Sequence, residues 1–262
     1  MKPRLLTLLI LTVLCFSLHA QSAENYRIDE LGKGFWRIQA IKGTLSTAYL
    51  IEGSKEALLI DACTGQEGLK EIVNRLIGDK PCKLALTHGH FDHSGGMKYF
   101  PEVYLHKADT GMLAKGVPTI RQYIEDGYVF DLGDQKIEVI SIPGHTPGSV
   151  VFFNRAARYM LTGDGIGSTM VWAHISNDPL TVYLASVKKL EAMKDGIDEL
   201  YVGHYEQEKV KLTTQYITDM RIVTEKVLDG TIETIRYEMG ARSGQQATYG
   251  SATLVFNPDK LR

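Results

Sequence analysis

The segment Thr87-His88-Gly89-His90-Phe91-Asp92-His93-Ser94-Gly95-Gly96 decides how the rest of the chain is read. Four side chains able to bind metal, His88, His90, Asp92 and His93, fall within six residues. Facing neighbours on a helix lie three or four residues apart, so one helical face cannot present all four. On a strand, His88, His90 and Asp92 would share one face and His93 would take the other. The spacing therefore predicts a tight loop, relaxed at Gly89, that turns the four inward. One histidine here would be an ordinary polar loop residue; the clustering is what points to a metal site. Imidazole and carboxylate without thiolate suit zinc.

Three further places repeat one arrangement, a short apolar run, a glycine and then a ligand. They are Pro143-Gly144-His145-Thr146-Pro147-Gly148, Leu161-Thr162-Gly163-Asp164-Gly165 and Val202-Gly203-His204-Tyr205. Each puts a His or Asp where a strand gives way to a loop, and each alone would read as a turn. Together with the first loop they bring the set to five His and two Asp. That is more than one zinc needs, and it suits two metals sharing a bridging carboxylate.

Outward from these motifs, residues 26–61 are β-rich, with short apolar runs at 34–39, 48–52 and 57–61 separated by Gly and Ser turns. Leu69, Ile72, Val73, Leu76 and Ile77 repeat at helical spacing, and 83–87 reads as a buried strand feeding the metal loop. Another strand at 102–106 precedes a short helix to about 115. A second strand-rich block covers 128–131, 136–142, 149–154 and 159–162. Helical periodicity returns at 181–193 and 211–229, around a short strand at 199–202, and a last apolar alternation lies at 249–256. The order predicts a layered α/β fold of two sheets packed face to face between helices. Ligands at the carboxyl ends of strands fit the way open α/β sheets place their sites.

The 262-residue chain carries 29 basic and 31 acidic residues, a balance that offers no nucleic-acid surface. Lys2 and Arg4 precede an apolar run over 5–14, followed by Ser17-Leu18-His19-Ala20. That layout predicts a signal peptide over 1–20, because the run is short for a membrane span. An uncleaved anchor or lipoprotein is the rival, disfavoured because Leu14 precedes Cys15 where lipoprotein signals need a small residue. The expected product is exported, periplasmic or secreted, with no stable membrane insertion after cleavage. Residues 21–262 would form a single domain with a C-terminal helical extension from about 206, whose long helix could also build a homodimer contact. Cys63 and Cys82 could form one disulfide, which sequence leaves open.

The motif set resembles the metallo-β-lactamase superfamily, whose His-x-His-x-Asp-His pattern, followed in order by His, Asp and His, is met in full over about 26–205. The resemblance implies a four-layer αβ/βα sandwich with the site at one edge of the two sheets. It implies two zinc ions, one held by His88, His90 and His145, the other by Asp92, His93 and His204, with Asp164 bridging both. A water shared by two such cations would supply hydroxide near neutral pH, and Asp92 would orient it as the catalytic carboxylate. Asp61 resembles the acidic residue that members carry before the first helix, a partner for a ligand His. Its alternative is a carboxylate at the helix N-terminus.

His90 stands where the oxygen-reducing diiron branch tends to carry Glu, which favours hydrolysis. Asp164 departs from the β-lactamase branches, although 144–149 is similar to their three-histidine subclass. Glyoxalase II-like thioesterases and the lactonases share the seven-ligand set. The chain lacks the former's basic C-terminal signature, Asn257-Pro258 being followed by Asp259, and has Gly167 where acyl-homoserine lactonases carry Tyr. The expectation is a zinc hydrolase of a small-molecule ester, thioester or lactone. A β-lactamase-type amide hydrolase and a non-catalytic metal-binding protein are the alternatives. Trp172, His174 and Tyr205 are the candidates for a substrate pocket, with plain packing roles as the alternative for each.

Overall fold

The computed structural model describes residues 25–115, 120–167, 170–205, 212–239 and 242–262; the expected signal peptide lies outside them. Seven strands form the first sheet in sequence order: β1 (Tyr26–Gly32), β2 (Phe35–Ala40), β3 (Thr47–Glu52), β4 (Ala57–Ile60), β5 (Cys82–Ala85), β6 (Glu102–Leu105) and β7 (Ile120–Tyr123). The first four pair antiparallel through hairpins. From β4 onward pairing is parallel, and parallel neighbours need a crossover. Helix α1 (Leu69–Ile77) supplies the one between β4 and β5. It buries Leu69, Ile72, Val73 and Ile77, the stripe expected from spacing, and ends at Gly78 with φ 63°.

The second sheet contains β8 (Val129–Asp131), β9 (Lys136–Ser141), β10 (Val150–Asn154) and β11 (Tyr159–Gly163), with β13 (Glu199–Val202) beside β11. Both sheets are covered on two faces, which explains strands written without alternation, such as Ala57-Leu58-Leu59-Ile60. Leu58 and Ile60 meet Phe130, Ile137 and Phe152 of the second sheet, whereas Leu59 belongs with Ile72 and Val73 of α1. Truncating such a fully buried leucine to Ala costs about 2–5 kcal/mol. On the far side, Val151 and Phe153 pack on α3 (Leu180–Glu191) and α4 (Gln215–Leu228) through Tyr183, Val187, Met220 and Val223. The result is the layered α/β sandwich expected from the sequence.

The C-terminal region corrects the expectation of a helical extension. After α4 the chain forms β14 (Ile235–Met239), β15 (Arg242–Tyr249) and β16 (Ala252–Phe256), which join β12 (Val171–Trp172) in a third sheet ordered β12-β16-β15-β14. Ala247, Leu254 and Phe256 attach it to the α3–α4 core. Among the described residues no helix is long and apolar enough to cross a membrane. Cys63 and Cys82 are both free thiols, the former buried.

Parallel pairing brings the carboxyl ends of β4 and β5 together in one sheet, and those of β11 and β13 in the other. The two edges are stitched by Thr47 N–H donating to Gly203 O at 2.8 Å and Val150 N–H to Thr87 O at 2.8 Å. Every ligand motif leaves the sheets along this seam or beside it.

Candidate metal centre

The first loop differs locally from the expected turn. The chain bends at His88, His90 is extended at φ −62° and ψ 148°, and Phe91–Ser94 then form one helical turn, α2. Asp92 and His93 thus project from a helical turn, and the change of backbone at His90 solves the problem of presenting all four ligands. Glycines let this turn lie against the 61–65 loop. A Cβ on Gly96 would overlap Ala62 O, and one on Gly65 would sit 2.6 Å from Gly95 O. Ala62 N–H donates to His93 O at 2.7 Å across that contact.

The repeated glycine-then-ligand arrangement has the same cause. A Cβ on Gly203 would overlap Asp164 Oδ1, and one on Gly163 (φ 51°) would lie 2.5 Å from Thr87 Oγ1. Backbone must approach the ligand and ligand-supporting side chains this closely for seven side chains from two sheets to share one small volume.

Those side chains converge. The ligand atoms of His88, His90 and His145 lie within 4.8 Å of one another, as do those of His88, His93 and Asp164 and those of Asp92, His93 and His204. Asp164 stands between the groups: Oδ1 is 3.4 Å from His93 Nε2, and Oδ2 is 3.3 Å from His204 Nε2 and 3.7 Å from His145 Nε2. Asp92 Oδ2 lies 3.4 Å from His204 Nε2.

Hydrogen bonds behind the rings fix their tautomers. His145 Nδ1 donates to Trp172 O at 3.1 Å, and His204 Nδ1 to Thr44 O at 2.9 Å. His93 Nδ1 donates to Asp61 Oδ2 at 2.8 Å. Thr87 Oγ1 donates to the same Oδ2 at 2.8 Å, so it accepts from His88 Nδ1 at 3.0 Å. Asp61 therefore orients two rings, one directly and one through a hydroxyl, and Thr87 N–H holds its other oxygen at 2.7 Å. It does so from a left-handed backbone, φ 63°, a strained conformation of the kind found at functional sites. All four rings then present Nε2 inward. His90 instead presents Nδ1, 3.1 Å from His145 Nε2.

The electrostatics divide the seven. Burial, with neighbouring histidines adding to it, holds His88 well below the usual imidazole range. Burial likewise lowers His90 and brings His145 down to about 4. For His93 and His204 burial is outweighed by Asp164, aided by Asp61 at His93 and by Asp92 at His204; His93 rises well above its usual range and His204 to about 10. Asp92 is held at about 2, because hydrogen bonding from His204 and the charge of His93 overcome its burial.

This cluster fits a metal. Buried His88 Nε2 has no hydrogen-bond partner among the described residues, and His93 Nε2 has only the long contacts to the Asp164 and Asp92 carboxylates. An unpartnered buried nitrogen costs about 1–3 kcal/mol, and cations held by these rings would supply the missing partners.

Sequence reasoning missed Asp109, buried in the 3-10 turn Lys107–Met112. Its Oδ2 accepts from Gly89 N–H at 2.8 Å and Thr146 Oγ1 at 2.6 Å, and its Oδ1 from Gly148 N–H at 2.7 Å. It clamps the loop carrying His88 and His90 to the loop carrying His145. The only sequence trace is glycine at 89 and 148, where a Cβ would meet Asp109 at 3.0 and 2.6 Å.

A cavity of about 320 Å³ opens on Asp92, His145, Asp164 and His204. Trp172 lines it, together with Thr44, Leu45, Gly167, Met170 and Tyr237. The other two expected pocket residues take different places. His174 packs edge-on against Tyr237 at 5.8 Å, behind the wall. The Tyr205 ring lies under the Arg37 guanidinium at 3.3 Å, and its carbonyl accepts from Gln39 Nε2, so it anchors the His204 loop to β2.

Five histidines and two aspartates meeting at the strand ends of a layered α/β sandwich define a metal-dependent hydrolase. The description "Metallo-beta-lactamase superfamily" matches residues 41–204, and the chain belongs to that family. It is 27% identical over 237 residues to an acyl-coenzyme A thioesterase, MBLAC2, of Gallus gallus, covering 72% of this chain and 85% of that enzyme. Its fold is similar to that of a metallo-beta-lactamase from Pontibacter korlensis, with TM-score 0.63, 16% identity, and coverage of 75% of this chain and 97% of that one. It is also similar to TTHA1623, solved in a di-iron-bound form, with TM-score 0.53, 27% identity, and coverage of 63% and 90%.

Proposed function

We propose that this chain is an exported, dinuclear zinc hydrolase that cleaves a carbonyl ester, and a thioester in preference to an oxygen ester or lactone. The convergence of seven inward-facing ligand side chains, with Asp164 touching members of both groups, carries the reading. His88, His90 and His145 would hold one ion, Asp92, His93 and His204 the other, with Asp164 shared. Bound metals would polarise the carbonyl and acidify water at the centre. Zinc is favoured by a ligand set of imidazoles and carboxylates without thiolate. Similarity across 85% of a thioesterase supports the thioester, and the basic N-terminal residues ahead of the apolar run at 5–14 support export.

The chain's own groups supply the rest. Asp92, held at about 2, is ionised at neutral pH and can accept a hydrogen bond from the attacking water, fixing its direction. Asp61 and the carbonyls of Trp172 and Thr44 keep the rings from rotating. Leu45, Met170 and Trp172 exclude bulk water from the reacting carbonyl. Turnover of residues 21–262, loaded with zinc, against matched thioester, lactone and β-lactam substrates tests the reading. Thioester preference abolished by chelator is expected; preference for the β-lactam would overturn it.

A further inference from the structure

The third sheet lies mostly beyond the family match at 41–204, yet it reaches the reaction centre. Tyr237, on edge strand β14, lines the same cavity as Asp164 and His204. Its ring is held edge-on by His174 at 5.8 Å, and its hydroxyl donates to Met239 Sδ at 3.7 Å. Opposite Tyr237 in register stands Gly244, where a Cβ would lie 2.7 Å from Phe256 O, so the glycine lets β15 close on β16 beside His174.

Trp172, on β12 of the same sheet, and Leu45 line the cavity with Tyr237. Each belongs to a wall that also orients a ligand: Trp172 O accepts from His145, and Thr44 O, one residue before Leu45, from His204. Leu45 has φ 55°, a left-handed conformation costly for a leucine, yet 41% of its surface is exposed. A loop there would be relaxed by Gly or Asn. Strain retained for an exposed apolar side chain beside a cavity suits ligand contact.

We infer that Leu45, Met170, Trp172 and Tyr237 form an acyl subsite, and that the substrate's acyl group is an uncharged, medium-length hydrocarbon or aromatic chain. The carbonyl would face Asp92, Asp164 and His204, while the chain lies between the Leu45 loop and the third sheet. A cavity of about 320 Å³ sits at the small end of ligand sites, which limits the chain's length. For its catalytic half this inference rests on the hydrolase reading; the binding half stands apart from it.

The two tryptophans of the chain are Trp36 and Trp172, so a Trp36→Phe background lets Trp172 report alone. In the metal-loaded protein, sodium octanoate should perturb Trp172 emission at roughly tenfold lower concentration than butyrate, with acetate weaker still. Acetyl, butyryl and octanoyl thioesters of one thiol should show kcat/KM rising in the same order. Tyr237→Ala should remove roughly tenfold of the octanoyl-over-acetyl preference. Leu45→Asn should do likewise while holding or raising Tm, because Asn accepts the left-handed backbone; a packing role alone would not separate the two readouts. Binding indifferent to chain length, or a preference untouched by both variants, would overturn the subsite. Chain-length-dependent binding without hydrolysis of any thioester would uphold the subsite and defeat the hydrolase reading.

Discussion

The two halves of the centre contain the same ring and behave oppositely. His88, His90 and His145 are buried among one another, and burial keeps them neutral. His93 and His204 are buried beside Asp61, Asp92 and Asp164, and the carboxylates raise them. A cation entering the first group meets neutral rings, with no net charge-balancing proton to displace. A cation entering the second must first displace protons that already neutralise the carboxylates. Ligand identity alone would make the halves near equivalents; what stands beside each imidazole separates them.

The largest expected effect comes from the residue common to both. Asp164→Asn removes the shared charge and should depress thioester hydrolysis at least about a hundredfold, exceeding the usual loss from an outer partner. It should also cut metal stoichiometry measured by elemental analysis after dialysis. Undiminished turnover at limiting zinc would dissolve the division into two groups.

The pH dependence of metal binding comes next. His204, raised to about 10, and His93, raised well above the usual imidazole range, are protonated at neutral pH, so filling the Asp92, His93 and His204 group releases protons and tightens as pH rises. Each proton released contributes about tenfold in affinity per pH unit. The His88, His90 and His145 group, lowered to about 4 for His145, should bind with affinity nearly flat over roughly pH 6–9. Calorimetric titration in buffers of differing ionisation enthalpy counts the protons. Two sites with equal pH slopes would refute the contrast.

Outer carboxylates should sharpen it further. Asp61→Asn weakens the orientation of His93, and Asp109→Asn loosens the clamp between the His90 and His145 loops. Each should cost about 10–100-fold in metal affinity, Asp61→Asn most at the group holding His93, which it orients directly, and Asp109→Asn at the three-histidine group. The smallest effect belongs to Thr87→Val, which removes the acceptor for His88 Nδ1 while keeping its volume. A several-fold loss, larger at the three-histidine group than at the group holding His93, is expected, read from the same two-site titration.

The ligands were legible because metal chemistry demands rare residue types at short spacing, and because close approach demands glycine just before them. The layered fold followed from buried runs such as Ala57–Ile60 and the α1 stripe. Asp109 was hidden because Thr146 and Gly148, which it joins to Gly89, lie 37 and 39 residues away. Adjacency misled at Tyr205, where the chain beyond His204 turns the ring toward Arg37 instead of the cavity. Strand β15, Arg-Ser-Gly-Gln-Gln-Ala-Thr-Tyr, has too little apolar alternation to announce a strand, and β14 beside it is an edge, where alternation is weakly enforced. Of the third sheet only β16 showed in the sequence, as the apolar alternation at 249–256; β14, β15 and Tyr237 did not.

The central claim is that hydrolysis needs both groups filled, and zinc titration into metal-free protein, with thioester turnover read at each addition, tests it most directly. Turnover that stays low through the first equivalent and rises through the second, then disappears with chelator, is the predicted result. Full turnover in metal-free protein, or after one equivalent, would contradict it.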